Sequence, residues 1–350
     1  MVQKISFVTG VAGLIGHSLA IKLMQEDHIV IGLDSLVSGD IQNIKHLESL
    51  QNQIAEKKFY FIQGRVQDPW GRVDSILKSI RDHSAKKNIQ LKPTYIFHFA
   101  SIAEPSKFSS HYRDIMEAAS IGTMRATDFC AKEDFRLVLA STSEVYGLSQ
   151  SLPMKESDPG VVNCNGERSS YNEAKRFAES WVVNTNQSTG TNHGIVRIFN
   201  TYGPGLGLDD ARVVPSLIRS ALAQKNIRIF GDGTRTRSFC YVDDLVKGIW
   251  LYANSNLSIP VNIGNDQEIS ILELAQTIIK LTESNSRIEF EPPLKDETEK
   301  RIPDLTLART KLGYAPQVGL IEGLQKTIDN VKERTAKLNP IDRAGLAQSL

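Results

Sequence analysis

The amino-acid sequence predicts an α/β protein built on a doubly wound parallel sheet, with a smaller C-terminal lobe. Three observations carry that expectation. Short apolar, β-prone runs recur near residues 4–9, 28–33, 59–63, 95–99 and 135–140, with helix-like stretches between them. The first run leads straight into Gly10-Val11-Ala12-Gly13-Leu14-Ile15-Gly16 and then an amphipathic segment to about residue 25. After Asn200 the alternation stops and Gly and Pro become frequent, as expected where a second lobe begins.

Taken in order, residues 4–9 form the first strand and the glycine turn follows it. Strand, glycine turn and helix is the context of a dinucleotide fingerprint, here spaced G-x-x-G-x-x-G. Glycines let the backbone approach a pyrophosphate at the helix N-terminus, where free N–H groups and the helix dipole favour anions. A plain tight turn is the competing reading. The second strand ends at Asp34, whose carboxylate can bind both ribose hydroxyls of NAD and would repel a 2′-phosphate. A solvated strand-end Asp is the competing reading; the two features together favour NAD.

A third strand at 59–63 precedes a helix over 72–87 and a polar link up to Pro93. The fourth strand, 95–99, runs into Ala100-Ser101, and a long helix is expected over 112–132. The fifth strand ends near Ser141-Thr142-Ser143-Glu144-Val145-Tyr146-Gly147, which supplies hydroxyls and a carboxylate where ligands sit in such sheets. A helix over 170–188 carries Tyr171 and Lys175 on one face, four residues apart. A free phenol titrates near pH ~10, and a close ammonium favours the phenolate. The pair can take a proton from a sugar or alcohol hydroxyl while a nicotinamide takes the hydride; an aromatic under a snorkelling lysine is the alternative. Further helices are expected at 213–223, 271–282 and 320–332.

These elements suggest a main domain of residues 1–199, rejoined by 237–258, a lobe of 200–236 and 259–335, and a tail of 336–350. The chain of 350 residues is 41% hydrophobic and 23% charged, ordinary for a soluble globular protein. A net charge of +1 gives no electrostatic case for nucleic acid or an acidic membrane. No apolar run approaches the ~20 residues a spanning helix needs. Cys130, Cys164 and Cys240 lack metal-ligand spacing and read as idle thiols, so no metal is expected. With no signal peptide ahead of the first strand, the expected location is the cytoplasm.

The runs 10–16, 141–147 and 171–175 together resemble the extended short-chain dehydrogenase/reductases of the nucleotide-sugar branch. The resemblance continues through Arg197–Pro204, Ala211–Pro215, Gly231–Leu245, Val261–Asn265 and Arg301–Asp304. Its wording is most similar to the UDP-glucuronate decarboxylases. It implies a Rossmann domain with recycled NAD, a UDP-linked sugar substrate clamped by the smaller lobe, and a homodimer formed through the helices at 112–132 and 170–188. The implied cofactor-binding residues are Gly10, Gly13, Leu14, Ile15, Gly16, Asp34, Ser35, Val66 and Ala100, with Tyr171 and Lys175. The implied catalytic residues are Thr142, Ser143, Glu144, Tyr171, Lys175 and Arg237. Asn200, Arg212, Arg237 and Tyr241 are the implied substrate contacts.

The implied chemistry oxidises C4 of the sugar, loses the C5 carboxylate as carbon dioxide and reduces C4 again. Position 143 separates the alternatives. The 4,6-dehydratases carry Asp-Glu there, and expelling water needs an acid that Ser143 cannot be. A 4-epimerase has no need of Glu144. A structural carboxylate paired with a nearby Lys or Arg remains the other reading of Glu144; beside a substrate carboxylate, one of the two is expected to be protonated or held by Arg237. A 4-epimerase or 4,6-dehydratase is the second function, and a non-catalytic NAD sensor the third. Three positions depart from the family. Arg65 stands where an acidic residue usually meets the adenine amino group, and it can stack but not accept. Ala119 replaces an asparagine, and Glu104 enters the loop that faces the sugar.

Overall fold

The structure, a computed structural model, describes residues 2–54, 56–149, 151–293 and 300–338. Its first half alternates strand and helix: β1 (Val2–Thr9), α1 (Leu14–Gln25), β2 (Ile29–Asp34), α2 (Ile41–Gln51), β3 (Phe59–Gln63) and α3 (Gly71–Lys86). These are followed by β4 (Gln90–His98), α4 (Tyr112–Ala119), α5 (Ile121–Glu133), β5 (Arg136–Thr142), α6 (Ser169–Thr189) and β6 (Gly194–Ile198). The second half holds β7 (Thr201–Tyr202), α7 (Val213–Leu222), β8 (Ile227–Phe230), β9 (Thr236–Ser238), β10 (Cys240–Tyr241), α8 (Val242–Ala253) and β11 (Pro260–Ile263). It closes with β12 (Glu268–Ser270), α9 (Ile271–Thr282), β13 (Ile288–Glu291), β14 (Lys300–Arg301), α10 (Thr306–Leu312) and α11 (Leu320–Ala336).

Seven parallel strands form the main sheet in the order β11-β6-β5-β4-β1-β2-β3. Successive residues of a strand face opposite sides. Phe7, Ile96, Leu137 and Ile195 enter one core, and Val8, Phe97, Val138 and Val196 enter the other. The strand order reverses between β1 and β4, which opens a crevice at their carboxyl ends. The first, second, third and fifth strands lie within two residues of expectation.

The structure corrects three organisational expectations. The polar link up to Pro93 is strand: β4 starts at Gln90, and Pro93 lies opposite Ile5 beside a register shift. Pairing with β5 begins only at Tyr95, so on that side the missing proline N–H breaks no ladder bond. The long helix at 112–132 is interrupted at Ser120, giving α4 and α5. Residues 260–263 were expected in the lobe, yet β11 is the outer strand of the main sheet. Val261 and Ile263 are buried there, and Asn262 bonds the Tyr146 hydroxyl at 2.7 Å.

The lobe is smaller and less regular. β13 pairs with β8 beside α7 and α9, while β9 is flanked by β12 and β14. α9 starts at a capping box in which Ser270 and Glu273 satisfy each other's backbone N–H. The β14–β9 register sets Arg301 opposite Arg237, and a bridge between Met154 and Pro303 carries this edge toward β5. Of the tail expected at 336–350, Ala336 ends α11, and residues 339–350 lie outside the described residues.

Candidate active site

The carboxyl ends of the central strands open into one cleft of about 880 Å³ whose far wall comes from the lobe. That is the size and setting of a small-molecule site. At its floor Gly10 has a φ of +75°, and a Cβ there would lie 2.8 Å from the backbone of Phe99 and Ala100. A Cβ on Gly16 would lie 2.1 Å from the Gly10 carbonyl oxygen. Gly13 starts α1 without a side-chain cap, so the first N–H groups of the helix face the cleft unoccupied by any capping residue. One strand over, Asp34 accepts the Ala12 N–H at 2.9 Å and the Leu36 N–H at 2.8 Å. Burial raises its pKa, and those N–H groups oppose the rise. Leu14, Ile15, Ser35, Val66 and Ala100 line the same cleft. A cradle that a Cβ would fill, an uncapped helix N-terminus and a fixed carboxylate beside them fit a dinucleotide.

Tyr171 and Lys175 reach this cleft from the buried face of α6. The Tyr171 ring stacks on Phe108 with centroids 4.8 Å apart, and its hydroxyl bonds the Thr142 side chain. Lys175 Nζ donates to the Ala140 carbonyl at 2.9 Å and lies 5.9 Å from the Tyr171 ring centroid. Behind them His98 bridges the hydroxyls of Thr9 at 3.0 Å and Thr123 at 3.1 Å. One electrostatic expectation is reversed. Burial pushes the phenol of Tyr171 up to about 12, and burial lowers the ammonium of Lys175 to about 8. Desolvation therefore outweighs the Thr142 hydrogen bond and the guanidiniums of Arg212 and Arg301, and the phenol rests protonated at neutral pH.

Glu144 lies at the same strand end, in the turn after β5. Its carboxylate accepts from Arg168 Nη1 at 2.9 Å and from Arg301 Nη1. Burial alone would raise its pKa; the guanidiniums of Arg301, Arg168 and Arg237 together hold it below the usual range. Arg237 was expected to hold either Glu144 or the substrate carboxylate. It lines the cleft and acts on Glu144 from a longer distance, while Arg301, opposite it in the strand register, makes the contact. Arg168 and Arg301 are functional candidates that sequence reasoning missed. The signal for Arg301 was its place in the Arg-Ile-Pro-Asp run; Arg168, just ahead of α6, had none. Ser143 is buried and lines the cleft beside Glu144.

The lobe side brings Asn200, Arg212 and Arg237 into the cleft wall. Arg212 Nε donates to both oxygens of Asp210 at 3.0 Å, so this arginine is both ion-paired and cleft-lining. Tyr241 is a correction. It does not line the cleft, because its ring packs edge-on to Tyr202 and under Lys326 of α11. Glu104 neither confronts the sugar with a bare charge nor points to solvent. It pairs with Lys107 at 2.8 Å and accepts from Ser106 at 2.7 Å and from the Ala211 N–H at 3.2 Å. Its carboxylate thus ties the loop after β4 to the lobe. Arg65 lines the cleft and pairs with Asp114 at 3.0 Å.

The profile of a family described as NAD dependent epimerase/dehydratase matches residues 6–264. UDP-glucuronic acid decarboxylase 1 of Danio rerio is 36% identical over 326 residues, covering 93% of this chain and 72% of that one. UDP-glucuronic acid decarboxylase 1 of Arabidopsis thaliana is 34% identical over 339 residues, 97% of this chain and 72% of that one. A solved UDP-glucose 4-epimerase of Thermotoga maritima, with UDP-glucose, superposes with a TM-score of 0.80 at 25% identity, covering 94% and 99% of the two chains. A UDP-glucuronic acid 4-epimerase of Bacillus cereus, in complex with UDP-glucuronic acid and NAD, shares the fold with a TM-score of 0.79 at 24% identity over 95% and 100%.

Proposed function

Because the chain belongs to the NAD dependent epimerase/dehydratase family, we propose that it is an NAD-dependent nucleotide-sugar decarboxylase converting UDP-glucuronate to UDP-xylose through a 4-keto intermediate. The observation that carries this reading is Ser143-Glu144 beside the Tyr171 phenol, with Glu144 kept ionised by Arg301 and Arg168. Two guanidiniums against one carboxylate leave positive charge for a sugar carboxylate or a diphosphate. Dehydration needs an acid to protonate a leaving hydroxyl, and neither Ser143 nor an ionised Glu144 is one. Epimerisation needs no charged group at this place.

The glycine turn and Asp34 hold NAD, which is retained through turnover. When bound it supplies a reversible hydride acceptor for C4 and a positive charge beside the phenol. Tyr171 removes the O4 proton, with Thr142 orienting its hydroxyl and Lys175 favouring the phenolate. Once C4 is a carbonyl, the C5 carboxylate leaves as carbon dioxide and its electron pair flows into that carbonyl. Glu144 enters as a carboxylate, so it does not itself supply the C5 proton; that proton comes from a solvent water oriented by Glu144 and Ser143, and the hydroxide left behind takes up a proton from solvent. Tyr171 returns its proton to O4 as the sugar is reduced. Asn200, Arg212 and Arg237 bind the nucleotide sugar from the lobe side.

The test is direct. The purified protein incubated with UDP-glucuronate is expected to release carbon dioxide and form a UDP-pentose by mass. Loss of water, or an unchanged mass with inverted C4, would move the assignment to a dehydratase or an epimerase. A homodimer is part of the same proposal. Tyr112, Met116, Ile121 and Phe177 are large exposed apolar residues on α4, α5 and α6, the helices named for that contact. A monomer mass by light scattering would rule it out.

A further inference from the structure

We propose that the Arg65–Asp114 ion pair is the adenine-reading edge of the cofactor cleft, with Asp114 accepting from the 6-amino group and Arg65 holding that carboxylate in place. The inference rests on the reading that this cleft binds NAD. A dinucleotide whose ribose is held by Asp34 carries its base outward past the neighbouring strand end. Here that is the turn after β3, joined to β2 by the Gly64 N–H bonding the Asp34 carbonyl at 2.9 Å. Val66 and Ala118, both buried, give the slot an apolar floor.

An adenine amino group is a donor and needs an acceptor at its edge. Of the turn's carbonyls, those of residues 65, 66 and 67 each already accept one bond. The Arg65 carbonyl accepts from the Asp68 N–H at 3.2 Å, the Val66 carbonyl from Trp70 Nε1 at 2.9 Å, and the Gln67 carbonyl from Arg125 Nε at 2.8 Å. Arg65 brings donors only. Asp114, the first-turn carboxylate of α4, faces the same slot and engages Arg65 through Oδ1 at 3.0 Å. A carboxylate carries acceptor positions on both oxygens, so the pair leaves Asp114 able to take one more bond. The pair is partly exposed, and such pairs add little to stability. Positioning an acceptor is the role that fits its place.

The test compares NAD with nicotinamide hypoxanthine dinucleotide, in which a carbonyl oxygen replaces the 6-amino group. Each displaces bound NADH, read by fluorescence, from wild type, Asp114→Ala, Asp114→Asn and Arg65→Ala proteins. Wild type is expected to prefer NAD by about tenfold or more, the usual effect of a hydrogen bond to a charged acceptor. Asp114→Ala should lose most of that preference through weaker NAD binding. Asp114→Asn, whose amide can donate to a carbonyl oxygen, should shift the ratio toward the hypoxanthine analogue. Arg65→Ala should weaken NAD binding by a few fold and keep the preference. An equal affinity of wild type for the two dinucleotides, or an unchanged ratio in Asp114→Ala, overturns the inference while leaving the cofactor assignment standing. A wild-type chain that takes up no NADH overturns both. Melting temperatures confirm that the variants fold, and the wild-type ratio decides the matter even if one does not.

Discussion

At the scale of single residues, the site is governed by what burial does to charge. Burial acting alone would raise the pKa of Glu144, and the guanidiniums around it, two of them in contact, reverse that. Tyr171 shows the opposite outcome: desolvation pushes its phenol up to about 12, outweighing the Thr142 hydrogen bond and the guanidiniums of Arg212 and Arg301. The two residues sit in one cleft, yet one rests ionised and the other protonated, so Tyr171 has to lose its proton before it can act as the base. The same logic predicts the cost of Arg301→Met. Removing one partner leaves Glu144 buried with Arg168 alone, and breaking a buried pair costs about 3–5 kcal/mol. Urea unfolding should show a loss of that order, and turnover of UDP-glucuronate should fall with it. A variant as stable and as active as wild type would remove Arg301 from both roles.

At the scale of elements, the turn between β1 and α1 is the tightest constraint in the chain. Gly16 packs its Cα against the Gly10 carbonyl, leaving no room for a methyl group. Gly16→Ala therefore has to shift the start of α1 away from β1, and with it the uncapped N–H groups that face the cleft. NAD affinity measured by titration is expected to fall by at least about tenfold, since the anion site depends on those N–H groups. Wild-type affinity in that variant would show that the helix start does not hold the pyrophosphate. α6 is positioned differently. Tyr171, Ala174, Lys175, Ala178, Glu179 and Val182 make one buried stripe, so the catalytic pair is oriented by the same packing that anchors the helix. The β9–β14 pairing does for the lobe what α6 does for the sheet, since it delivers Arg237 and Arg301 together.

At the scale of the whole molecule, the main sheet and its surroundings bury His17, His28, His98 and His193. Burial lowers their pKa values from the ordinary 6.5 to about 3 for His17 and His98 and about 4 for His28 and His193. The sign follows from proton binding. Between pH 6.5 and about 4 the unfolded chain takes up protons that the folded chain refuses, so stability is lost as pH falls through that window. Each such histidine contributes up to about 1.4 kcal/mol per pH unit. The urea midpoint should drop clearly between pH 7 and pH 5. An equal or higher midpoint at pH 5 would mean that these imidazoles accept protons in the folded state.

Much of this molecule was readable along the chain because its signals are local. The glycine spacing at 10–16, the carboxylate at Asp34, and the Tyr171–Lys175 interval on a helix each depend on residues a few positions apart. Strand alternation is equally local, which is why a doubly wound parallel sheet was within reach, while the start of β4 at Gln90 and the place of β11 came from the structure. What distance in sequence concealed, packing supplied. Arg301 reaches Glu144 across 157 positions only after β14 joins β9. Tyr241 turns away from the cleft because α11 covers it, and Glu104 is neutralised by a lysine and a lobe N–H that sequence reading did not bring together. The sequence by itself determined the fold, the glycine turn and the Tyr171–Lys175 interval on one helix face, since backbone sterics and helix periodicity are short-range. The tertiary structure alone decided which charges meet in the cleft, since electrostatic pairing acts through space between segments that only folding brings together.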